Sequence, residues 1–200
     1  MLLDFEESQL VLVDYQEKLM PVIFESAQVV KNAATLARIA KIMGVPVFGT
    51  EQNPHKLGPN VADVRALCDT TLPKLFFSGV HEGLNECLRP PARPQGGNAR
   101  SLPKHLQKPP QEAPQRNSII IAGCEAHVCL LQTALELLEE EFEVWVVTDA
   151  CSSRTERNRD AAFDRLAGAG AELVTTEMVA FEWMRTCEHE DFREILQLIK

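Results

Sequence analysis

Ser118-Ile119-Ile120-Ile121-Ala122-Gly123-Cys124-Glu125-Ala126-His127-Val128-Cys129 is the stretch that decides how this chain folds. A β-branched apolar run closes at a glycine. Six residues on, Cys129 opens a segment, Leu130 to Glu140, that reads as a helix. A strand, a tight turn and a helix that begins at a thiol set Cys129 beside unpaired N–H groups and the positive end of a helix dipole. That position favours thiolate over thiol, and the same N–H groups suit the oxyanion of an acyl intermediate. Cys129 is therefore the candidate nucleophile. The other five cysteines, Cys68, Cys87, Cys124, Cys151 and Cys187, read as space-filling thiols.

Working outward, strand-like and helix-like segments alternate. Gln9 to Val13 is a short apolar run that stops at Asp14, and Ala27 to Met43 carries a helical apolar period ended by Gly44. Val45 to Thr50 is the next strand. Val61 to Leu67 and Val80 to Leu88 read as helices around an extended segment, Leu72 to Phe77. Beyond the central strand come a strand from Phe142 to Thr148 and a helix from Arg157 to Ala167. Ser153-Arg154-Thr155-Glu156 has capping-box spacing ahead of that helix. A strand at Ala171 to Val174 and helical patterns at Met178 to Arg185 and Asp191 to Ile199 follow. The alternation predicts an α/β, Rossmann-like three-layer sandwich with a six-stranded, mostly parallel sheet.

Two hundred residues make one domain, 1–200, with room for a full core. Arg89 to Asn117 breaks the pattern. It is rich in proline, glutamine and arginine and too poor in large apolar residues to offset its ordering entropy, so it reads as a solvated insertion. The formal charge of −9, without a basic run, argues against nucleic acid and anionic membrane as partners. No signal peptide, membrane-length apolar run or C-x-x-C pair is present, which predicts a reduced, cytoplasmic protein acting on a small molecule.

In open parallel sheets, ligands sit at the carboxyl ends of strands where the strand order reverses. Asp14 ends the first strand, and Cys129 follows the end of the central one. If those strands are neighbours, a carboxylate that can act as general base faces the thiol. Lys74, in the apolar stretch Pro73-Lys74-Leu75-Phe76-Phe77, is the candidate for balancing their charges.

These residues resemble the isochorismatase-like cysteine hydrolases, in particular the isochorismatase-domain-containing subgroup. The likeness is carried by Leu12-Val13-Asp14-Tyr15-Gln16, by Pro73-Lys74-Leu75-Phe76-Phe77-Ser78 and by Gly123 to Ala134. Asp149-Ala150-Cys151-Ser152-Ser153-Arg154 and Thr175-Thr176-Glu177-Met178 carry it further. It covers the chain except the insertion. The resemblance implies an Asp14–Lys74–Cys129 triad, a homo-oligomer, and a cis peptide between Cys124 and Glu125. That bond would aim the Glu125 N–H, with that of Cys129, at an oxyanion. Tyr15, Phe77 and His127 are candidates for the pocket wall. The Asp-x-His pair with which nicotinamidases of this kind hold a metal is replaced by Glu51-Gln52-Asn53-Pro54-His55, so neither metal nor cofactor is expected. The function implied is hydrolysis of a small carboxamide or related acyl compound through a cysteine thioester. Vinyl-ether hydrolysis of the isochorismatase type and an idle scaffold of the same fold are the alternatives.

Overall fold

The computed structural model describes residues 2–90 and 116–200. Most of the proline-rich insertion at 89–117 therefore lies outside the described residues. Six strands form one sheet: β1 (Ser8–Val13), β2 (Val47–Gln52), β3 (Thr70–Lys74), β4 (Ser118–Gly123), β5 (Glu143–Val147) and β6 (Glu172–Val174). Their order is β3-β2-β1-β4-β5-β6. Every pairing is parallel, a stricter result than the mostly parallel sheet expected.

β1 and β4 are buried along their whole length, as strands covered on both faces must be. The covering helices are α1 (Ser26–Ile42), the short α2 (Pro54–Leu57), α3 (Ala62–Arg65) and α4 (Leu84–Leu88), then α5 (Leu131–Glu139), α6 (Glu156–Gly168), α7 (Thr176–Met184) and α8 (Phe192–Ile199). α1 packs with α7 and α8, and α5 packs with α6. One apolar core runs from Leu3 to Ile195.

The chain goes out from β1 to β2 and β3 on one side, then returns to place β4 on the other side of β1. β1 and β4 thus flank the reversal of strand order. Their register pairs Val13 with Gly123. Glycine is required there, because a Cβ at 123 would lie 2.6 Å from Val13 Cβ and from its carbonyl oxygen.

Three local expectations are corrected. The third strand ends at Lys74, and Leu75, Phe76 and Phe77 leave the sheet and are exposed. The cap of α6 is Thr155, whose hydroxyl accepts from Asn158 N–H, in place of Ser153, which is buried and faces His127. α5 begins at Leu131, after a π-helical turn at Ala126–Leu130, so Cys129 lies within that turn instead of opening the helix.

Candidate active site

The strand order brings the carboxyl ends of β3, β2, β1 and β4 side by side, and each delivers one group. Asp14 follows β1 in the left-handed region, φ 55, a conformation that aspartate tolerates better than most residues. Thr50 Oγ1 donates to Asp14 Oδ1 at 2.8 Å, and Lys74 Nζ lies 2.7 Å from Oδ2. Neither charged side chain has any solvent exposure.

Lys74 closes β3. Its ammonium also donates to Gln52 Oε1 at 2.7 Å and to Phe77 O at 2.9 Å. The exit of the chain from the sheet makes this possible: Leu75 to Phe77 curl back so that a carbonyl points at Nζ. Glu82 Oε1 holds that curl by accepting from Leu75 N–H at 2.9 Å and Phe76 N–H at 3.3 Å. A buried lysine is tolerable only with such a set of acceptors.

Past Gly123 the chain turns at Glu125, φ 52, into the π-helical turn that carries Cys129. The Cys124–Glu125 peptide is trans, contrary to the cis bond expected. The reversal is made by the left-handed torsion at Glu125 instead. Ala126 N–H is taken by Ser152 O and Cys124 N–H by Val13 O. Glu125 N–H finds no protein acceptor among the described residues.

Cys129 is 5% exposed. Burial, and after it the Asp14 carboxylate, push its thiol up to about 12, although Lys74 pulls the other way. The lowered pKa expected from a helix start is thus overturned. The dipole end is a partial charge, and desolvation and a full negative charge outweigh it. Cys129 rests as a thiol, with Sγ 3.9 Å from Gln52 Oε1.

Asp14, Gln52 and Cys129 open into a pocket of about 250 Å³, walled by Leu19, Leu57, Phe77 and Val128 and rimmed by Glu125 and Arg154. Phe77 thus lines the pocket as expected. Tyr15 does not: it is fully buried, and its hydroxyl donates to Ala150 O at 2.5 Å. His127 stands outside the lining as well. Its Nδ1 faces Glu125 Oε2 at 3.2 Å and Ser153 Oγ at 3.0 Å, and its Nε2 faces Asn158 Nδ2 at 3.4 Å. It braces the turn, and its hydrogen-bonding partners among the described residues do not include the thiol. Arg154 Nε meets the other Glu125 oxygen at 2.6 Å. A wider groove, of about 490 Å³, lies away from these groups between Leu2, Met178, Phe181 and Arg185.

Gln52, Thr50 and Arg154 are the site residues that sequence reasoning missed. Gln52 was legible in principle, since it ends a strand adjacent to the one that ends at Asp14. Glu51, in the stretch that replaces the nicotinamidase metal-binding pair, accepts from Asn60 N–H at 2.8 Å and lies 3.8 Å from Arg65.

A doubly wound, all-parallel sheet of order 3-2-1-4-5-6 with its pocket at the β1/β4 reversal is the isochorismatase-like hydrolase fold. The model of the isochorismatase domain matches residues 98–178. Isochorismatase domain-containing protein 2 of Rattus norvegicus is 35% identical over 195 residues, which cover 98% of this chain and 82% of the relative. The Homo sapiens protein of the same name is 35% identical over 193 residues, covering 96% and 83%. Among solved structures, MAR1 ribonuclease from Caenorhabditis elegans superposes with a TM-score of 0.83 at 29% identity, covering 100% of this chain and 92% of that one. YcaC from Pseudomonas aeruginosa does so with a TM-score of 0.78 at 25% identity, covering 98% and 91%. The chain belongs to the isochorismatase domain family.

Proposed function

We propose that this protein is a cysteine hydrolase of small carboxamides or related acyl compounds, with Asp14, Lys74 and Cys129 as its catalytic groups. The observation that carries the reading is the buried cluster at the strand ends: a carboxylate and a thiol that face one small apolar pocket, with an ammonium 2.7 Å from the carboxylate. Because the thiol rests protonated, attack is coupled to proton transfer. Asp14 takes the Cys129 proton as sulfur bonds to the carbonyl carbon. The Glu125 and Cys129 N–H groups hold the oxyanion. Lys74 keeps the migrating negative charge compensated in a dry site. The carbon–nitrogen bond then breaks, and Asp14 returns the proton to the departing amine. Water, giving its proton to Asp14, adds to the thioester. The acid is released, and that proton restores the thiol.

The YcaC relative from Pseudomonas aeruginosa carries covalently bound acrylamide, a reagent that alkylates thiols, which supports a reactive cysteine in this fold. The ribonuclease name of the Caenorhabditis elegans relative points elsewhere. A chain of net charge −9 with a pocket of about 250 Å³ suits a small acyl compound better than a polyanion. The reading includes a homo-oligomer, which is supported by the octameric YcaC of Escherichia coli and by the exposure of Leu75, Phe76 and Phe77.

A hydrolysis screen over amides, carbamoyl compounds and isochorismate, with Cys129→Ala as control, tests the proposal. We expect amide turnover that Cys129→Ala abolishes, an acyl-enzyme mass on Cys129, and rates unchanged by EDTA. Turnover of isochorismate that survives Cys129→Ala would replace it with ether hydrolysis. Inactivation by EDTA that a divalent ion reverses would overturn the metal-free chemistry.

A further inference from the structure

An ammonium has three N–H bonds, and at Lys74 four oxygens surround them: it donates to Gln52 Oε1 at 2.7 Å, to Phe77 O at 2.9 Å and to Phe76 O at 3.4 Å, and it lies 2.7 Å from Asp14 Oδ2 as an ion pair. None is left over for a thiolate at Cys129. One acceptor must yield when negative charge reaches the sulfur. Asp14 is the counter-ion, and Phe76 and Phe77 contribute backbone carbonyls that the curl of their loop holds in place. The remaining acceptor, Gln52 Oε1, is also the one that the thiol touches, at 3.9 Å.

The orientation of the Gln52 amide follows from its partners. Nε2 donates to Leu75 O at 2.8 Å, so the oxygen must face the ammonium and the thiol. The backbone of Gln52 is clamped on both sides by the buried Gln16. Gln52 N–H donates to Gln16 Oε1 at 2.8 Å, and Gln16 Nε2 donates to Gln52 O at 2.9 Å. A second bond, from Gln16 Nε2 to Gly58 O, ties this clamp to the neighbouring loop.

We propose that Gln52 is a positioning residue that keeps resting Cys129 as a thiol and shares Lys74 with Asp14, releasing the ammonium to the sulfur as the thiol proton leaves. The inference rests on the reading of Cys129 as nucleophile. Two effects act with one sign. An acceptor for S–H stabilises the neutral form, and a competitor for Lys74 withholds stabilisation from the anion. The charged groups around Cys129 are Asp14 from the end of β1, Lys74 from the end of β3, and the Glu125–Arg154 pair at the pocket rim. His127, on the same turn, faces Glu125 and Ser153.

The test is the pH profile of iodoacetamide alkylation at Cys129 in the full chain, followed by peptide mass spectrometry. Gln52→Leu keeps the shape and removes the acceptor. It should move the profile to lower pH and speed alkylation at neutral pH about fivefold. Gln52→Glu puts a carboxylate beside the sulfur. It should move the profile up by about one pH unit and slow alkylation about tenfold. Opposite displacements by two near-isosteric changes are not a packing effect. Displacement in the same direction by both, or by neither, overturns the proposal. Thermal melts check folding, and if Gln52→Leu does not fold, Gln52→Asn, one methylene short of both partners, takes its place with the same expected sign. A wild-type Cys129 that resists alkylation at every pH, while the unfolded chain reacts there, removes the nucleophile and this inference together. A labelled wild type with unmoved variants removes only the role of Gln52.

Discussion

Asp14 and Lys74 are each shut away from water, and each is tolerable only because the other is 2.7 Å away. Removing one partner leaves a bare charge in the core. Lys74→Met should lower the unfolding free energy at neutral pH by about 3–5 kcal/mol, the cost of breaking a buried pair. Asp14→Asn combined with Lys74→Met should recover part of the stability while turnover stays lost. Urea unfolding of the two single variants and the double variant checks the sign of the coupling. A loss that adds across the two changes would mean that the pair contributes nothing as a pair. All three residues of this cluster were readable in the sequence: Asp14 as the stop of an apolar run, Lys74 as a charge inside one, Cys129 as a thiol after a strand. The electrostatics of Cys129 were not readable, since they depend on Asp14 and on burial, neither of which lies near it along the chain.

At the scale of elements, the close approach of β1 and β4 is what places Asp14 and the Glu125 turn together. Gly123→Ala drives a Cβ to 2.6 Å from the Val13 backbone, which cannot rotate away. We expect a loss of about 3 kcal/mol, at the upper end for overpacking, read from the urea midpoint. At the opposite end of the same strands, Gln9 Nε2 donates both to Leu88 O at 3.1 Å and to Arg116 O at 2.8 Å. One buried amide thus brackets the two ends of the insertion on the side of the sheet away from Cys129. Replacing 91–115 with a short Gly/Ser linker should leave the melting temperature within a few degrees of the parent, since closure entropy changes slowly with loop length. Light scattering on the same variant reads whether assembly depends on the insertion. A collapse of stability would show that the segment packs against the domain.

For the whole molecule, several acid groups are held neutral by the core. Burial pushes Cys129 and Cys151 up to about 12 and Cys68 up to about 11, and raises Cys124 and Tyr15 well above their ordinary values. Between the free-thiol pKa and these values the folded chain binds more protons than the unfolded one, so stability must fall as pH rises. Each buried thiol contributes about 1.4 kcal/mol per pH unit in that window. Thermal melts should therefore decline progressively above about pH 9. Cys151→Ala should make the decline shallower. A flat profile to about pH 10.5 would show that these thiols ionise in place without cost.

The sequence by itself determined the class of fold, and it offered Asp14, Lys74 and Cys129 as candidates, which the structure brings together at the carboxyl ends of the strands. Apolar runs that alternate with helical periods admit few arrangements, and a charged residue at the end of a buried run has few reasons to be there. Tertiary structure decided the rest. It replaced the cis bond with a left-handed Glu125, turned Tyr15 and His127 away from the pocket, and raised the thiol that was expected to be lowered. It also brought in Gln52, whose part depends on a carbonyl of the loop after β3, an ammonium at the end of β3 and a thiol after β4. Periodicity reports what a residue is next to along the chain. Hydrogen-bond partners, desolvation and the direction of a pKa shift are set by what surrounds it in space, and here those neighbours come from four different strands.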